Sequence, residues 1–169
     1  MSFKHKLIHK IVHQFLKVYN NYFYGLYRNK YKIHDDFLFN GFDIRFIGDG
    51  EIICDGNSYV GLGSRFSSNK GNSIQIGKNC AISHNVRIYT GTYDSNFDFN
   101  SSTHIPEKYN NVLIGDGVWI GLNVVILPGV VIGNNTVIGA NSVVSKSIPE
   151  NSIASGIPCK VIREKKSVY

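Results

Sequence analysis

The 169-residue sequence contains few cysteines and prolines, and its cysteines form no metal-binding or disulfide pattern. Cys54, Cys80 and Cys159 are odd in number, are widely spaced and include no CxxC pair, which argues against a disulfide framework and a zinc ribbon. With 4 prolines against 17 glycines, the chain turns often without having the composition of a disordered linker. We therefore expect a folded protein of the reducing cytoplasm, with no metal.

Long apolar runs and N-terminal acidic residues are also missing. No run approaches the roughly 18 apolar residues of a membrane-spanning helix, and the basic N-terminus does not have the pattern of a secretory signal. No acidic residue precedes Asp35, so the net charge of +6 is concentrated toward the ends of the chain. Because no nucleic-acid motif accompanies this charge, we expect an anionic cofactor or an anionic membrane surface rather than nucleic acid.

An aliphatic residue recurs at every sixth position from Ile114 to Val144. The hexads read IGDGVW, IGLNVV, ILPGVV, IGNNTV, IGANSV and VSKSIP. A period of six fits neither an α-helix nor a simple alternating strand. It fits a short strand and a tight turn, with Gly-Asn and Gly-Asp steps at the turns. Stacked coils of this kind bury their aliphatic residues in ladders, so we predict a parallel β-helix rather than a β-sandwich.

The same spacing occurs earlier in the chain. IGKNCA, ISHNVR and IYTGTY open at Ile76, Ile82 and Ile88, and a looser set opens at Ile47, Ile53 and Tyr59. We place these aliphatic residues inside and expect about four coils.

Two stretches interrupt the period, residues 65–75 and a longer stretch rich in Asp, Asn and Ser. We predict three regions: a basic amphipathic helical segment at 1–36, a β-helix domain at 37–164 with an inserted loop at 93–112, and a basic tail at 165–169. Loops that interrupt a rigid scaffold commonly carry function. We therefore expect the inserted loop to shape an acceptor pocket.

Apolar residues recur at near-helical spacing over residues 3–24, with lysines largely between them. Such a helix could cover the open end of the solenoid or pack on a neighbouring subunit, and every solenoid end needs a cover. Alternatively, residues 1–24 could lie in an anionic membrane interface. The sequence leaves both roles open and favours the cover.

The series VWIG, LPGV, IGANSVV and GIPCKVIR resembles the C-terminal half of the maltose and galactoside acetyltransferases and the bacterial polysaccharide O-acetyltransferases. The resemblance to these hexapeptide-repeat acyltransferases covers roughly residues 47–164. It implies an all-β, left-handed parallel β-helix with three hexads per turn, an exception to the right-handed crossover rule. It also implies a homotrimer, with acetyl-CoA in the groove between neighbouring subunits.

Seven positions match the coenzyme A contacts of these relatives. The resemblance implies that Trp119 lines the active-site channel, that Leu122 lies near pantetheine, and that the backbone amide of Ala140 meets the pantetheine arm. A plain packing role for Trp119 and a coil turn at Ala140 are the structural alternatives.

The remaining matched positions are polar. Ser145 and Lys146 match a Thr-Lys pair beside the cofactor. Lys160 and Arg163 match basic residues near the nucleotide phosphates, which Lys and Arg donors favour. A solvated tail is the structural alternative for Lys160 and Arg163.

The catalytic base is where the sequence departs from its relatives. In them, a histidine in a TxxH or TGxHD string deprotonates the acceptor. Here the string is TGTYD, residues 90–94, so Tyr93 occupies the histidine position. A phenol is a poor base at neutral pH.

Two histidines could replace the missing base. We predict His84 because it belongs to a rigid coil, and regular elements hold precise sites better than loops. His104, inside the inserted loop, is the runner-up, and Asp94 could orient its imidazole and stabilise the charged form.

The resemblance implies an acetyl-CoA-dependent O-acetyltransferase acting on a sugar hydroxyl of a surface polysaccharide or its precursor. We place it in the cytoplasm or at the inner face of the cell membrane. N-acetylation of an amino sugar or nucleotide-linked amino sugar is the alternative. A catalytically inactive binding or scaffold solenoid is the alternative from another class. A γ-class carbonic anhydrase is disfavoured, because His104 alone follows His84 and cannot complete a three-histidine zinc site.

Overall fold

The computed structural model describes residues 2–98, 100 and 105–166. The chain starts with one long helix, α1 at Phe3–Lys30, and continues directly into a solenoid whose first strand begins at Lys32. This strand lies inside the segment that the sequence assigned to the N-terminal region.

Each turn of the solenoid holds three short strands. The strands of the first three turns are β1 (Lys32–Ile33), β2 (Leu38–Asn40), β3 (Arg45–Ile47), β4 (Glu51–Cys54), β5 (Tyr59–Gly61), β6 (Arg65–Ser67), β7 (Ser73–Ile76), β8 (Ala81–Ile82) and β9 (Arg87–Tyr89). An insertion follows, with the antiparallel hairpin strands β10 (Gly91–Tyr93) and β11 (Glu107–Tyr109). The fourth and fifth turns hold β12 (Val112–Ile114), β13 (Trp119–Ile120), β14 (Val125–Ile126), β15 (Val131–Ile132), β16 (Val137–Ile138) and β17 (Val143–Val144). The described fold ends with the antiparallel pair β18 (Ser152–Gly156) and β19 (Cys159–Glu164).

Strands at equivalent places in successive turns pair in parallel and form three flat faces. Face A contains β1, β4, β7, β12 and β15, and face C contains β3, β6, β9, β14 and β17. Face B contains β2, β5, β8, β13, β16 and β18, with β19 beside β18. Three hexads per turn therefore build a triangular left-handed β-helix, as predicted. We name its edges A/B, B/C and C/A after the faces that meet there.

The core is a column of stacked inward-pointing side chains. The aliphatic residues of the regular hexads are at most 1% exposed, which confirms the register predicted for Ile76, Ile82, Ile88, Ile114, Ile120, Ile126, Ile132, Ile138 and Val144. Successive turns bring these residues into direct register, because Ile120 pairs with both Ile82 and Ile138.

The first two turns have a different register from the one predicted. Phe46 and Val60 are buried, whereas Ile47 and Tyr59 are 45% and 37% exposed. Aromatic residues fill much of the interior here, and the first turn, in which Phe37 is buried, begins before the first predicted hexad at Ile47. The solenoid consequently has five complete turns instead of about four.

Asparagines make many of the corners between faces. Seven of those in the described chain have φ between 54° and 58°, the left-handed conformation that asparagine tolerates: Asn57, Asn79, Asn85, Asn123, Asn135, Asn141 and Asn151. Stacked corner amides also bond to one another. The amide nitrogen of Asn123 donates to Oδ1 of Asn141 at 3.1 Å. These bonds hold the edges in register from turn to turn.

The C-terminal part of α1 covers the open end of the solenoid. Tyr24 stacks on Phe39 at a centroid distance of 4.4 Å, and Tyr27 stacks on Phe46 at 5.5 Å. The Tyr24 hydroxyl donates to the carbonyl of Gly41 at 2.8 Å. These aromatic contacts shield the aromatic core of the first turn from water. Among the described residues, no helix combines the length and hydropathy needed to cross a membrane.

Candidate active site

Three of the predicted site residues lie on one edge of the solenoid. His84, Leu122 and Ala140 occupy equivalent corners of turns three, four and five at the B/C edge. The amide of Asn123 donates to the carbonyl of His84 at 3.0 Å, and the amide of Asn141 donates to that of Leu122 at 2.8 Å. Because each bond joins one turn to the next, His84, Leu122 and Ala140 form a continuous exposed row.

The imidazole of His84 is exposed and lies against the preceding turn. Its Nδ1 sits over Gly61, where a Cβ at residue 61 would clash with the ring and with the backbone of Ser83. Asn85, directly after His84, takes the left-handed conformation that turns the chain at this corner. Gly61 in the preceding turn and Asn85 next in sequence therefore place the His84 imidazole at the B/C edge.

The row continues along face B toward the C-terminal end. Trp119 lies on the outer side of face B, 57% exposed, in register with Val137. Val137 pairs with Ile153, and Ile153 pairs with Arg163 on β19. Lys160 pairs with Ser155 on the same pair of strands. Four strand spacings separate the His84 turn from β19, a span of about 19 Å.

Ser145 and Lys146 lie elsewhere. They follow β17 and occupy the C/A edge, at the opposite side of face C from Ala140. Both are exposed. One chain therefore divides the predicted site residues between two edges, with the predicted base His84 and the cofactor residues Leu122 and Ala140 on one edge and Ser145 and Lys146 on the other.

The insertion also emerges at the C/A edge, directly after β9. Its root holds a pocket of about 220 Å³ lined by hydroxyl, amide, carboxylate and aromatic groups of Ser67, Asn69, Tyr89, Gly91, Thr92, Tyr93, Glu107 and Tyr109. Thr90 is buried beneath it, and its Oγ1 accepts a hydrogen bond from the amide of Asn69 at 2.8 Å. The pocket and His84 therefore lie at opposite ends of β9.

Asp94 is held by the insertion hairpin itself. Its Oδ1 accepts from the amide of Asn96 at 3.0 Å and lies 2.9 Å from Nζ of Lys108. The Asn96 hydrogen bond, followed by the Lys108 ammonium, holds the pKa of Asp94 below its ordinary value. Asp94 is thus an ionised carboxylate that joins the two strands of the hairpin.

His104, the runner-up base, lies outside the described residues. Within residues 2–98, 100 and 105–166, no group of three His, Cys, Asp or Glu side chains is arranged to hold a metal ion. The three cysteines are free and buried, and burial raises the pKa of each thiol.

Sequence reasoning missed a column of arginines on face C. Arg45, Arg65 and Arg87 are in direct register on β3, β6 and β9. Asp43 lies 2.7 Å from Nε of Arg45 and 4.0 Å from Nη2 of Arg65. The signal was present in the sequence, because the tripeptides RFI, RFS and RIY recur about one solenoid turn apart.

Comparisons with known proteins agree with this architecture. Residues 111–146 match the family model described as bacterial transferase hexapeptide (six repeats). Galactoside O-acetyltransferase of Escherichia coli (strain K12) is 44% identical over 93 residues, which cover 54% of this chain and 44% of that protein. The chain spans about half the length of the curated relatives it matches, between 44% and 63% for three of them.

Solved structures extend the likeness to most of the chain. N-acyltransferase AntD from Bacillus cereus, solved as a variant with dTDP-4-amino-4,6-dideoxyglucose and coenzyme A, has a TM-score of 0.63. That match covers 79% of this chain and 80% of AntD, and at 21% identity it shows the fold alone. Maltose O-acetyltransferase from Clostridium difficile 630 is 34% identical with a TM-score of 0.52, covering 90% of this chain and 89% of that one. The chain therefore belongs to the hexapeptide-repeat acetyltransferases, as the resemblance of its motifs predicted.

Proposed function

We propose that this protein transfers an acetyl group from acetyl-CoA to a sugar hydroxyl, with His84 as the general base. The supporting observation is the row that starts at His84, passes Leu122 and Ala140, and leads to Lys160 and Arg163 on β19. Phosphates held by these two basic residues would let the pantetheine arm run along the B/C edge. The thioester would then lie beside the imidazole.

In the proposed reaction, the imidazole of His84 accepts a proton and then returns it. The acceptor hydroxyl gives its proton to the His84 imidazole as its oxygen attacks the thioester carbonyl carbon. The tetrahedral intermediate collapses by breaking the carbon–sulfur bond, and the departing thiolate takes the proton from the imidazolium. Coenzyme A and the acetyl ester leave, and neutral His84 is regenerated. A positioned base of this kind contributes about 10²–10⁴ in rate.

A second protomer would complete the site. An edge of a triangular solenoid is convex. Leu122 at the B/C edge stays 42% exposed, and Trp119 on the adjoining face B stays 57% exposed. We propose a homotrimer in which the B/C edge of one protomer faces the C/A edge of its neighbour. Ser145 and Lys146 would then lie beside the cofactor opposite Ala140, and the insertion with Tyr93 and Asp94 would border the acceptor.

We propose a sugar of a surface polysaccharide, or its precursor, as the acceptor, and the cytoplasm as the place of reaction. The pocket at the root of the insertion supports a sugar, because it combines tyrosine rings with hydroxyl and amide groups that can bond several sugar hydroxyls. The relatives named as galactoside and maltose O-acetyltransferases act on sugars by their names.

N-acetylation of an amino sugar is the second candidate function. By the resemblance of the motifs, Tyr93 takes the position of the base, and one protomer keeps His84 away from the insertion pocket. A neutral amine attacks a thioester with less help from a base than a hydroxyl needs. Weak dependence of turnover on His84 with amino-sugar acceptors would favour this function.

The test is His84→Ala, compared with His34→Ala. His34 is also an exposed corner histidine whose ring lies over a glycine, Gly56, but it belongs to the A/B edge of the first turn. Coenzyme A thiol release is measured against a panel of sugars and nucleotide sugars, and acetyl-CoA binding is measured by calorimetry. We expect His84→Ala to lower turnover at least about 100-fold while binding stays nearly intact, because only the proton acceptor is lost. His34→Ala should behave as wild type.

Two results would contradict the proposal at different points. Near-normal turnover by His84→Ala would exclude His84 and direct the same substitution to His104. Failure of the wild-type protein to bind acetyl-CoA would instead revive the inactive binding or scaffold function.

A further inference from the structure

The N-terminal two-thirds of α1 exposes a large apolar surface. Ile11, Phe15, Val18 and Tyr22 are 59%, 67%, 60% and 64% exposed. Their spacing of four, three and four residues places them in one stripe along the helix. Further exposed apolar side chains widen this stripe, mostly on one side: Leu7, Ile8, Val12 and Tyr19. We call this surface the outer face of α1.

The outer face points away from the solenoid. Asn20, Tyr24 and Tyr27 contact the first turn, and they follow the same four-and-three spacing along the opposite side of the helix. Tyr22 is two residues from both Asn20 and Tyr24, and two residues correspond to about 200° of rotation around an α-helix. Since the capping side lies on the open end of the solenoid, the outer face looks outward from that end.

Most of the helix extends beyond the cap. At 1.5 Å per residue, the 28 residues of α1 span about 42 Å, of which the capping part from Asn20 to Lys30 takes only about 16 Å. His13 stacks edge-on against Phe42 at 5.6 Å, at the B/C edge. The part of α1 before His13 therefore has more apolar surface than the solenoid of the same chain can cover.

Basic residues flank the outer face. Lys6, Lys10 and Lys17 recur at spacings of four and seven residues and share one flank, while Lys4 lies near the helix start. No acidic residue occurs before Asp35. An apolar face with a lysine-rich flank and no acidic residue is typical of helices that lie in the plane of a membrane interface.

We infer that residues 4–22 of α1 dock this protein onto an anionic phospholipid bilayer, with the outer face in the interface and the lysines at the headgroups. Charge decides between a bilayer and a second copy of the chain. Two copies of this helix would bring lysines together with no carboxylate in either segment to pair with them. Anionic headgroups supply that negative charge, and long lysine side chains reach them from the flank of a buried helix.

The experiment is co-sedimentation of the full chain with vesicles, in the absence of acetyl-CoA. Vesicles of phosphatidylcholine mixed with phosphatidylglycerol are compared with vesicles of phosphatidylcholine alone. We expect binding to the mixed vesicles that weakens as salt rises. Ile11→Ser, Phe15→Ser and Val18→Ser together should weaken it at least about tenfold, because the apolar contact is lost.

A charge series tests the same surface without changing its apolar residues. Lys6→Gln, Lys10→Gln and Lys17→Gln keep good helix formers, and each should weaken binding about fivefold. Leu113→Ser is the matched control for the serine substitutions. Leu113 is an apolar residue on face A that is 41% exposed and lies away from α1. It should bind vesicles as wild type does. Circular dichroism confirms that each variant keeps its helix.

Unchanged vesicle binding in both the serine and the glutamine variants would overturn the inference. So would equal binding to neutral and anionic vesicles. A third outcome would also contradict it. If the wild type does not bind vesicles and the triple serine variant has a lower particle mass in light scattering, the outer face is a contact between protein chains. Because sedimentation needs no catalysis, the result for vesicle binding does not depend on whether the proposed acetyltransferase activity is found.

Discussion

Gly61 is a residue whose importance appears only after the chain has folded. The imidazole of His84 lies over it, 23 residues later in the sequence. Motif reading could find His84 but not its support, because contacts between successive turns depend on the register of the coils. For the same reason, sequence reasoning missed the arginine column on face C and the partner that Asp94 finds in Lys108.

We predict that Gly61→Ala lowers kcat with little change in the KM for acetyl-CoA. The added Cβ would push against the His84 ring and the Ser83 backbone, and a shift of about 1 Å in a catalytic group can cost about 100-fold in rate. Steady-state kinetics provide the measurement, with the variant's thermal midpoint recorded alongside. Gly61 acts here as a positioning residue, through His84.

Gly77→Ala is the control for this substitution. It places a Cβ against the Asp116 side chain and the Gly115 backbone at the A/B edge, a side-chain and backbone clash like the one at Gly61, and should strain the fold in a similar way. If both alanine variants lose kcat equally, the effect is structural and the positioning role is wrong.

At the scale of elements, the accuracy of the sequence prediction followed the regularity of the hexads. Turns three to five carry Ile or Val at the inward positions, and their register was predicted correctly. In the first two turns Phe46 and Phe66 fill the interior, while aliphatic Ile47 lies on the surface. Aliphatic spacing alone placed the wrong residues inside there. The aromatic residues suit these turns because Tyr24 and Tyr27 of α1 stack onto the same cluster.

The insertion hairpin gives a prediction about pH. Lys108→Ala should move the pKa of Asp94 up toward its ordinary value of 3.8, because the variant loses the ammonium and keeps the Asn96 hydrogen bond. The folded pKa of Asp94 is lowered, so its stabilising contribution is present above the ordinary pKa. That contribution is lost as pH falls through the lowered value. The carboxyl carbon chemical shift of Asp94, followed by NMR across an acid titration, measures this pKa in wild type and in Lys108→Ala.

Lys70→Ala is a suitable comparison, since Lys70 is exposed at the C/A edge one turn below the insertion. The titration of Asp94 should be the same in Lys70→Ala and in wild type. An unchanged Asp94 titration in Lys108→Ala would show that the 2.9 Å ion pair contributes nothing in solution. The global stability should change little in either case, because Lys108 is largely exposed.

For the whole molecule, the central problem is that one solenoid separates the groups that the proposed reaction would bring together. His84 lies at the B/C edge, whereas Tyr93, Asp94 and the insertion pocket lie at the C/A edge. No rearrangement within a stacked β-helix can join two edges, because the ladder bonds of face C hold them apart. Closed three-fold symmetry would bring the B/C edge of each protomer to the C/A edge of the next.

Mixed assemblies test this arrangement directly. We first expect the wild-type protein to have three times the 18.9 kDa chain mass in light scattering. His84→Ala and the double variant Tyr93→Ala with Asp94→Ala should each have little activity alone. After unfolding and joint refolding in equal amounts, random three-fold assembly should restore about a quarter of the wild-type sites, those that draw His84 from one protomer and the intact insertion from its neighbour. If the site lay within one protomer, no mixture would exceed the activity of its parents, because every protomer would carry a defect.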